Sequence, residues 1–323
     1  MRIWRSVLSI GQSCHYWAVH PSNLQLYDAA SLYFRAFFGL PSSLRAADGQ
    51  PVNAVRGLLD FMARFITEYR PTHAAACWDN DWRPAWRVEL VPSYKTHRVL
   101  SGDLEVVPDE LSPQVPLILG VLRALGIPVV GADDHEADDV IGTLASTAGV
   151  PVDVVTGDRD LFQLVDDARG IRVLSVVKGV RNHERVTDEW LEQRYGIRGA
   201  GYADFATLRG DASDGLPGVA GVGEKTAARL VADHGDLEGI LAAASAGRLS
   251  PALTARLAAA VDYLAAARDV VRVRRDLPLP VTLDDLQLPT APADPDTFAE
   301  LAELLNLGGA ADRILAALAL NAA

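Results

Sequence analysis

The sequence has few of the residues that stabilise extracellular proteins or anchor a chain in a membrane. Only two of its 323 residues are cysteines, Cys14 and Cys77, too few for a disulfide framework or a thiolate metal cluster. No apolar run approaches the ~20 residues of a membrane span, and the first residues do not form a signal peptide. We therefore expect a cytoplasmic protein that does not associate with a membrane.

The chain is also short of positive charge. Its 30 basic and 42 acidic side chains give a formal net charge of −12, whereas nucleic-acid-binding modules are usually basic. This objection loses its force if many of the acids form one cluster that holds cations. Net charge therefore neither supports nor excludes a polyanionic partner. The apolar fraction of 49% is ordinary for a globular protein, and the length predicts about two domains.

Short apolar runs alternate with longer segments of helical period between residues 24 and 195. The runs predict strands at 24–27, 74–78, 127–130, 152–155 and 171–177. Two segments, 53–69 and 112–125, have apolar residues at three- and four-residue spacing, which predicts crossover helices. This alternation is typical of an α/β fold with a mostly parallel sheet flanked by helices.

The composition shifts to Gly and Ala after residue 195. We predict a second, α-helical domain over residues 196–290, with helices at 224–233 and 251–271. A Pro-rich stretch leads to an amphipathic helix at 297–305 and a short Ala-rich tail, both within residues 291–323. Residues 1–23 show neither period and are predicted to be an extension without a structural role.

Acidic side chains follow four of the five predicted strands. Parallel strands end at one edge of a sheet, where open α/β sheets bind ligands. The carboxylates expected to converge there are Asp28, Asp79, Glu136, Asp138, Asp139, Asp158 and Asp160. A single Asp of this kind is usually a turn or N-cap residue, but capping does not explain the whole set. Seven like charges require raised pKa values or bound cations, and oxygen ligands favour Mg²⁺ or Mn²⁺.

Two clustered cations would support displacement at a phosphodiester, with one ion activating water and the other stabilising the leaving oxygen. The predicted helical domain contains residues suited to holding the nucleic acid that carries this phosphodiester. Residues 210–214 add Asp211 and Asp214, and residues 216–227 have the form of a helix-hairpin-helix. Gly221 and Gly223 there let backbone N–H groups approach a phosphate at the start of the next helix.

These motifs, in this order, resemble the bacterial 5′ nuclease family, which comprises flap endonucleases and the 5′-3′ exonuclease domain of DNA polymerase I. The resemblance spans about residues 24–290. It is carried by Leu-Tyr-Asp at 26–28, Cys-Trp-Asp at 77–79, Glu-Ala-Asp-Asp at 136–139, Thr-Gly-Asp-Arg-Asp-Leu at 156–161 and the segment 210–227. It implies a PIN-like nuclease domain at 24–195, a helical arch over the active site at about 82–113, and a helix-hairpin-helix domain at 196–290.

The resemblance also implies a role for each matching residue. Asp28, Asp79, Glu136, Asp138 and Asp139 would lie nearer a first metal ion, and Asp158, Asp160, Asp211 and Asp214 nearer a second, several of them acting through waters. Lys95 and Arg98, in Tyr-Lys-x-x-Arg, would steer the scissile phosphate. Candidate DNA contacts are Phe34, Arg35, Arg83, Arg87, Tyr94, Gly218, Gly221, Gly223, Lys225 and Thr226, with a K⁺ ion on the hairpin carbonyls.

The basic and aromatic residues of the arch suit phosphate contacts and stacking, although a solvated charged helix is the alternative. Two residues depart from the family pattern. Phe34 stands where the family often has Tyr and so lacks a hydroxyl, and Gly215 stands where the family usually has Asn. We expect this glycine to loosen the turn and to remove a hydrogen bond.

These observations predict a monomeric, metal-dependent nuclease without a polymerase domain. Its substrate would be DNA with 5′ flaps or 5′ ends, as in flap or primer removal during replication and repair, with RNA–DNA hybrid as a further candidate. Two alternatives stay open. A PIN-like ribonuclease would share the sheet and the acids but normally lacks the hairpin domain, and an inactive structure-specific DNA-binding protein should have lost a metal carboxylate or Lys95.

Overall fold

The computed structural model describes residues 22–102 and 104–320, so nearly all of the predicted extension at 1–23, with Cys14, lies outside the described residues. The strands are β1 (Leu24–Asp28), β2 (His73–Trp78), β3 (Val99–Ser101), β4 (Leu104–Glu105), β5 (Val129–Gly131), β6 (Val152–Thr156), β7 (Ile171–Ser175) and β8 (Glu184–Val186). No helix among these residues is long and apolar enough to cross a membrane.

Six strands form one sheet in the order β5-β2-β1-β6-β7-β8, and only β8 runs antiparallel to its neighbour. The mostly parallel sheet predicted from the apolar runs is therefore confirmed. The strand predicted at 127–130 begins two residues later than expected. Ile127 donates its N–H to Leu122 O, 3.0 Å away, and so still belongs to the end of the preceding helix.

The helices are α1 (Ala29–Gly39), α2 (Asn53–Tyr69), α3 (Ala85–Leu90), α4 (Gln114–Leu125), α5 (Ala137–Thr147), α6 (Asp188–Tyr195), α7 (Tyr202–Arg209), α8 (Glu224–His234), α9 (Leu237–Ser245), α10 (Pro251–Ala259), α11 (Val261–Val271), α12 (Pro295–Leu304) and α13 (Gly309–Ala319). The helix predicted at 251–271 is two helices, because Ala260 has a ψ of 8° that interrupts the helical path.

The region predicted to be a helical arch contains little helix. Between residues 82 and 113, α3 has six residues, a 3-10 turn covers Thr96–Arg98, and β3 and β4 pair as a short antiparallel hairpin. Prolines at 84, 92 and 108 divide this stretch, and each removes a backbone donor that a continuous helix would need.

Helices cover both faces of the sheet. One core joins Tyr27 and Ala76 of the sheet to α2, α4 and α13, and the other joins Leu26 and Val154 to α5 and to the helical domain. The Ala-rich end of the chain is therefore not only a tail. Residues 309–319 form α13 because their apolar side chains recur at three- and four-residue spacing, and Ile314 is fully buried in this core.

Candidate active site

The carboxyl-terminal edge of the sheet opens into a cavity of about 430 Å³. Carboxylates from three strand ends and one helix start line it: Asp28, Asp79, Glu136, Asp138 and Asp158. Asp28 ends β1, Asp79 follows β2 and Asp158 follows β6, which are neighbouring parallel strands. The other two acids lie at the start of α5. The structure thus brings together five of the nine carboxylates predicted as metal ligands.

Backbone and hydroxyl donors fix two of these carboxylates. Asp28 caps α1 by accepting the N–H of Ser31 at 3.1 Å, and its second oxygen accepts the Thr156 hydroxyl at 2.6 Å. Asp79 accepts the N–H of Ala137, in the first turn of α5, at 2.7 Å. Since Ser31, Thr156 and Ala137 belong to three different elements, these bonds hold the acids in place relative to one another.

Burial and mutual repulsion raise the free energy of the ionised carboxylates. Burial raises the pKa of Asp28 to about 7, against the lowering effect of the Thr156 hydroxyl, and the charges of Asp79 and Asp158 raise it further. Burial also raises the pKa of Asp138 well above its usual value, followed by the charges of Asp158 and Asp28. A cation in the cavity would relieve both effects.

Asp160, Asp211 and Asp214 form a second group next to Asp158. Burial raises the pKa of Asp160, and the charges of Asp158, Asp214 and Asp211 add to this effect. Asp160 Oδ1 is buried and has no hydrogen-bond partner among the described residues. Burial likewise raises the pKa of Asp214 to about 6, although Lys95 lowers it. An unsatisfied carboxylate oxygen among other carboxylates fits a bound cation.

The acids surround a space and do not meet at one point. Across residues 22–102 and 104–320, no three His, Cys, Asp or Glu side chains are arranged closely enough to hold a single ion directly. That several acids act through waters, which Mg²⁺ retains readily, stays a prediction.

Asp139 was predicted as a metal ligand, and the structure places it beneath the cavity and not in its lining. It is fully buried, and its two oxygens accept both terminal nitrogens of Arg87 at 2.7 and 2.8 Å. Asp139 Oδ1 also accepts the N–H of Arg274 at 2.9 Å. With both oxygens engaged, Asp139 anchors the residues beneath the cavity.

Arg87 and Tyr94 were predicted to contact DNA, and the structure places both side chains in the interior, next to Glu136. Arg87 is only 2% exposed and donates to Glu136 Oε2 at 2.6 Å as well as to Asp139. The Tyr94 hydroxyl donates to the same Glu136 oxygen at 2.7 Å, and its side chain is buried. A buried guanidinium needs paired carboxylates, and Glu136 and Asp139 supply them.

Lys95 and Arg98 line the cavity from the arch. Lys95 Nζ donates to Glu136 Oε1, and its backbone N–H donates to Asp214 O at 2.9 Å. Arg98 Nη2 lies 3.2 Å from Asp214 Oδ1. The two cations therefore connect the arch to both groups of carboxylates.

Gly215 does not loosen its turn, contrary to expectation. It has a φ of 71°, and a Cβ there would lie 2.1 Å from Ser93 O. Ser93 Oγ donates to Gly215 O at 2.7 Å. The missing side chain lets the 93–95 segment of the arch pack directly against the loop that carries Asp211 and Asp214.

Three other predicted DNA contacts lie around the cavity. Phe34 lines it, and Arg35 packs beside Gly157 with a buried Nε that has no hydrogen-bond partner among the described residues. Arg83 is engaged within the arch, where it donates to Tyr94 O at 2.7 Å. Arg83 therefore supports the backbone that presents Lys95.

The predicted hairpin connects α7 to α8. Gly221, Gly223 and Lys225 are exposed and Thr226 is half-buried, so these residues are accessible to a phosphate. Gly218 is half-buried as well, but its N–H already donates to the Tyr263 hydroxyl at 2.9 Å, and a Cβ there would lie 2.4 Å from Arg209 O. The amide of Gly218 is thus engaged within the domain, and its contact with DNA stays a prediction.

Several residues at or beside this site were not predicted, among them Glu105 of β4, whose carboxylate also lines the cavity. Gln163 lies below Asp160, donates to Val271 O at 2.9 Å and accepts the N–H of Val273 at 3.1 Å, which ties the helical domain to the metal-site loop. Arg209 Nη2 lies 3.3 Å from Asp211 Oδ2. The only sequence signal for Gln163 was a single polar residue within the apolar run at 161–165.

A mostly parallel sheet with carboxylates at its strand ends, joined to a helical hairpin domain, is the architecture of a class of nucleases. Comparison with known proteins agrees: residues 23–196 match the N-terminal resolvase-like domain of the 5′-3′ exonucleases, and residues 197–294 match their C-terminal SAM fold. The chain belongs to the 5′-3′ exonuclease family, and the resemblance predicted from the motifs is confirmed.

Individual relatives cover nearly the whole chain. A 5′-3′ exonuclease of Streptomyces coelicolor is 58% identical over 91% of this chain and 99% of its own length. A 5′-3′ exonuclease of Mycobacterium tuberculosis is 49% identical over 92% of this chain and 98% of its own length. The solved complex of bacteriophage T5 D15 flap endonuclease with DNA and metal ions has the same fold, with a TM-score of 0.59 and 16% identity over 92% of this chain and 99% of that chain.

Proposed function

We propose that the protein hydrolyses DNA phosphodiesters at 5′ flaps and 5′ ends in a divalent-metal-dependent reaction. The observation that carries this proposal is the cavity lined by Asp28, Asp79, Glu136, Asp138 and Asp158, with Lys95 and Arg98 on its arch side. Mg²⁺ or Mn²⁺ bound there would activate water and stabilise the leaving oxygen. Two or more ions are expected, since the carboxylates form two groups joined at Asp158.

The protein's own residues would hold the ions and orient the substrate. Asp28, Asp79, Glu136 and Asp138 would serve the first ion, and Asp158, Asp160, Asp211 and Asp214 the second. Lys95 and Arg98 would orient the scissile phosphate, and Phe34 would stack on a base beside them. The exposed amides of Gly221 and Gly223 at the start of α8 would hold the duplex backbone, with K⁺ on nearby carbonyls.

The test is cleavage of a 3′-labelled double-flap DNA with Mg²⁺ or Mn²⁺, beside an EDTA control, a 5′-recessed duplex and a single-stranded RNA. Metal-dependent product one nucleotide into the duplex would identify a flap endonuclease. A ladder of shortened products from the recessed duplex would identify an exonuclease. Cleavage of RNA alone would favour the ribonuclease, and DNA binding without cleavage would favour the inactive binding protein.

Three further proposals accompany this function. The protein would act as a monomer in the cytoplasm, and an RNA–DNA hybrid flap would also be cleaved. Sedimentation of the protein with and without flap DNA tests the first, and a flap whose 5′ end is RNA tests the last. No described residue argues for the ribonuclease in preference, whereas the helical domain that such enzymes normally lack is present here.

A further inference from the structure

A second cavity lies on the other side of the turn that carries the catalytic carboxylates. Its volume is about 320 Å³, and it is bounded by the ends of β7 and β8 and by α6. It shares no lining residue with the active-site cavity. Asp158 lines the active-site cavity and the next residue, Arg159, lines the second one. We call the second cavity the α6 cleft.

The charge of the α6 cleft contrasts with that of the whole chain, whose net charge is −12. Three cations line it, Arg159, Lys178 and Arg194, and a single acid, Glu184, pairs with Lys178 at 2.9 Å. In the part of the chain that the structure describes, the guanidinium groups of Arg159 and Arg194 have neither a hydrogen-bond partner nor a carboxylate. Two unpaired guanidinium groups at one cleft favour an anion, and their planar donors match a phosphate.

Aromatic side chains form another wall of the α6 cleft. Trp190 and Tyr195 both line it and are half-buried, and Arg194 lies over the Tyr195 ring at 5.3 Å. Trp190 and Tyr195 pack edge-on against each other, and they also contact Phe162 and Phe205, respectively, which an ordinary core role would explain. Core packing does not explain why unpaired cations surround these rings. Aromatic rings beside guanidinium groups are the arrangement that binds a base and its phosphate.

We propose that the α6 cleft binds one nucleotide, with its phosphate at Arg159 and Arg194 and its base against Trp190 or Tyr195. Its volume lies at the lower end of the ~300–1,000 Å³ typical of ligand sites, which suits a single nucleotide. The proposal rests on the nuclease function proposed above, because a strand that enters one cavity passes the turn shared with the other. The nucleotide is either part of the bound DNA strand or a free 5′-mononucleotide.

The test compares Arg194→Gln with Arg181→Gln in the full chain. Arg181 is also exposed but lines neither cavity, so its loss removes the same charge elsewhere. Binding of a fluorescent flap DNA is measured in EDTA over a range of salt, and binding of dAMP is measured by calorimetry. If the strand occupies the cleft, Arg194→Gln lowers the slope of log affinity against log salt by about one, and Arg181→Gln does not.

Crosslinking locates the contact directly. Flap DNA carrying 5-iododeoxyuridine is irradiated on the wild-type protein, and the modified peptide is identified by mass spectrometry. Adducts at Trp190 or Tyr195 support strand binding, and dAMP binding that is lost only in Arg194→Gln supports a free nucleotide. The proposal is wrong if neither ligand distinguishes the two variants and no adduct falls on α6. Cleavage of flap DNA by the wild type is measured separately, so a negative result for nucleotide binding at the α6 cleft does not count against the nuclease function.

Discussion

Asp158 is the residue at which the two groups of carboxylates meet. Its Oδ1 accepts the N–H of Asp160 at 2.8 Å, and its charge raises the pKa of Asp28 on one side and of Asp160 on the other. We predict that Asp158→Ala lowers the single-turnover cleavage rate by ~100-fold or more while DNA affinity changes little. Asp262→Ala, an exposed acid outside the cavity, is the control. Unchanged turnover in Asp158→Ala would refute the metal-site assignment.

Lys95 contacts the carboxylates and faces the cavity, which predicts a role in the chemical step. Removing one preorganised cation from a transition state costs ~10²–10³-fold in rate, whereas loss of a simple phosphate clamp weakens binding to the same extent as the rate. We expect Lys95→Ala to slow single-turnover cleavage of flap DNA much more than it weakens duplex binding. Equal losses in the two measurements would reduce Lys95 to a phosphate clamp.

The sequence predicts which acids reach the cavity, because a residue at the carboxyl end of a parallel strand lies at a known edge of the sheet. The positions of Asp28, Asp79 and Asp158 could be predicted from the apolar runs that precede them. What Asp139 and Arg87 do was not predictable in this way. Their pairing joins residues 52 positions apart, and nothing in either local segment shows that the guanidinium folds under the cavity and does not face solvent.

At the scale of elements, Arg87 joins three segments of the fold. From α3 it bonds Glu136 and Asp139 at the start of α5, and its Nε donates to Val270 O in α11 at 3.1 Å. Breaking a buried pair by removing one partner costs ~3–5 kcal/mol. We therefore predict that Arg87→Leu lowers the free energy of unfolding, measured by urea denaturation, by about that amount.

The control for Arg87→Leu is Arg123→Leu, in which an exposed arginine of α4 is replaced. Surface substitutions of this kind usually change stability by less than ~0.5 kcal/mol. If the two variants unfold at the same urea concentration, the buried network contributes nothing to the joining of α3, α5 and α11.

Elements with a strong period were predictable, and those with interrupted patterns were not. The helix predicted at 53–69 has the bounds of α2 as observed, Asn53–Tyr69, because apolar residues repeat along its whole length. The arch was expected to be helical by resemblance, although its prolines at 84, 92 and 108 argue against a continuous helix. Residues 309–319 were expected to be tail because their many alanines make the apolar periodicity weak. In the structure, α13 buries its apolar face against α2.

At the scale of the whole molecule, the buried acids make stability depend on pH. The folded-state pKa of Asp28, about 7, lies above its ordinary value, and the pKa of Asp214 is raised to about 6. Between these values and pH 4 the folded protein binds more protons than the unfolded chain, so its stability falls as the pH rises. We predict that, in EDTA, the free energy of unfolding increases when the pH is lowered from 8 to 5.

Divalent ions should oppose this trend, because they bind the ionised acids of the folded state. Mg²⁺ or Mn²⁺ is expected to raise the thermal unfolding midpoint more at pH 8 than at pH 5. The neutral variant Asp28→Asn keeps one oxygen for the hydroxyl of Thr156 and loses the N-cap bond from the Ser31 N–H, at a cost of ~1 kcal/mol. It has no charge to bury, and at pH 8 the relief of that burial is expected to exceed the lost cap. In EDTA at pH 8 it should therefore unfold at a higher temperature than the wild type, and it should lose part of the metal effect. A wild-type protein that becomes more stable from pH 5 to pH 8 without metal would show that charge repulsion at this edge of the sheet does not limit the stability of the fold.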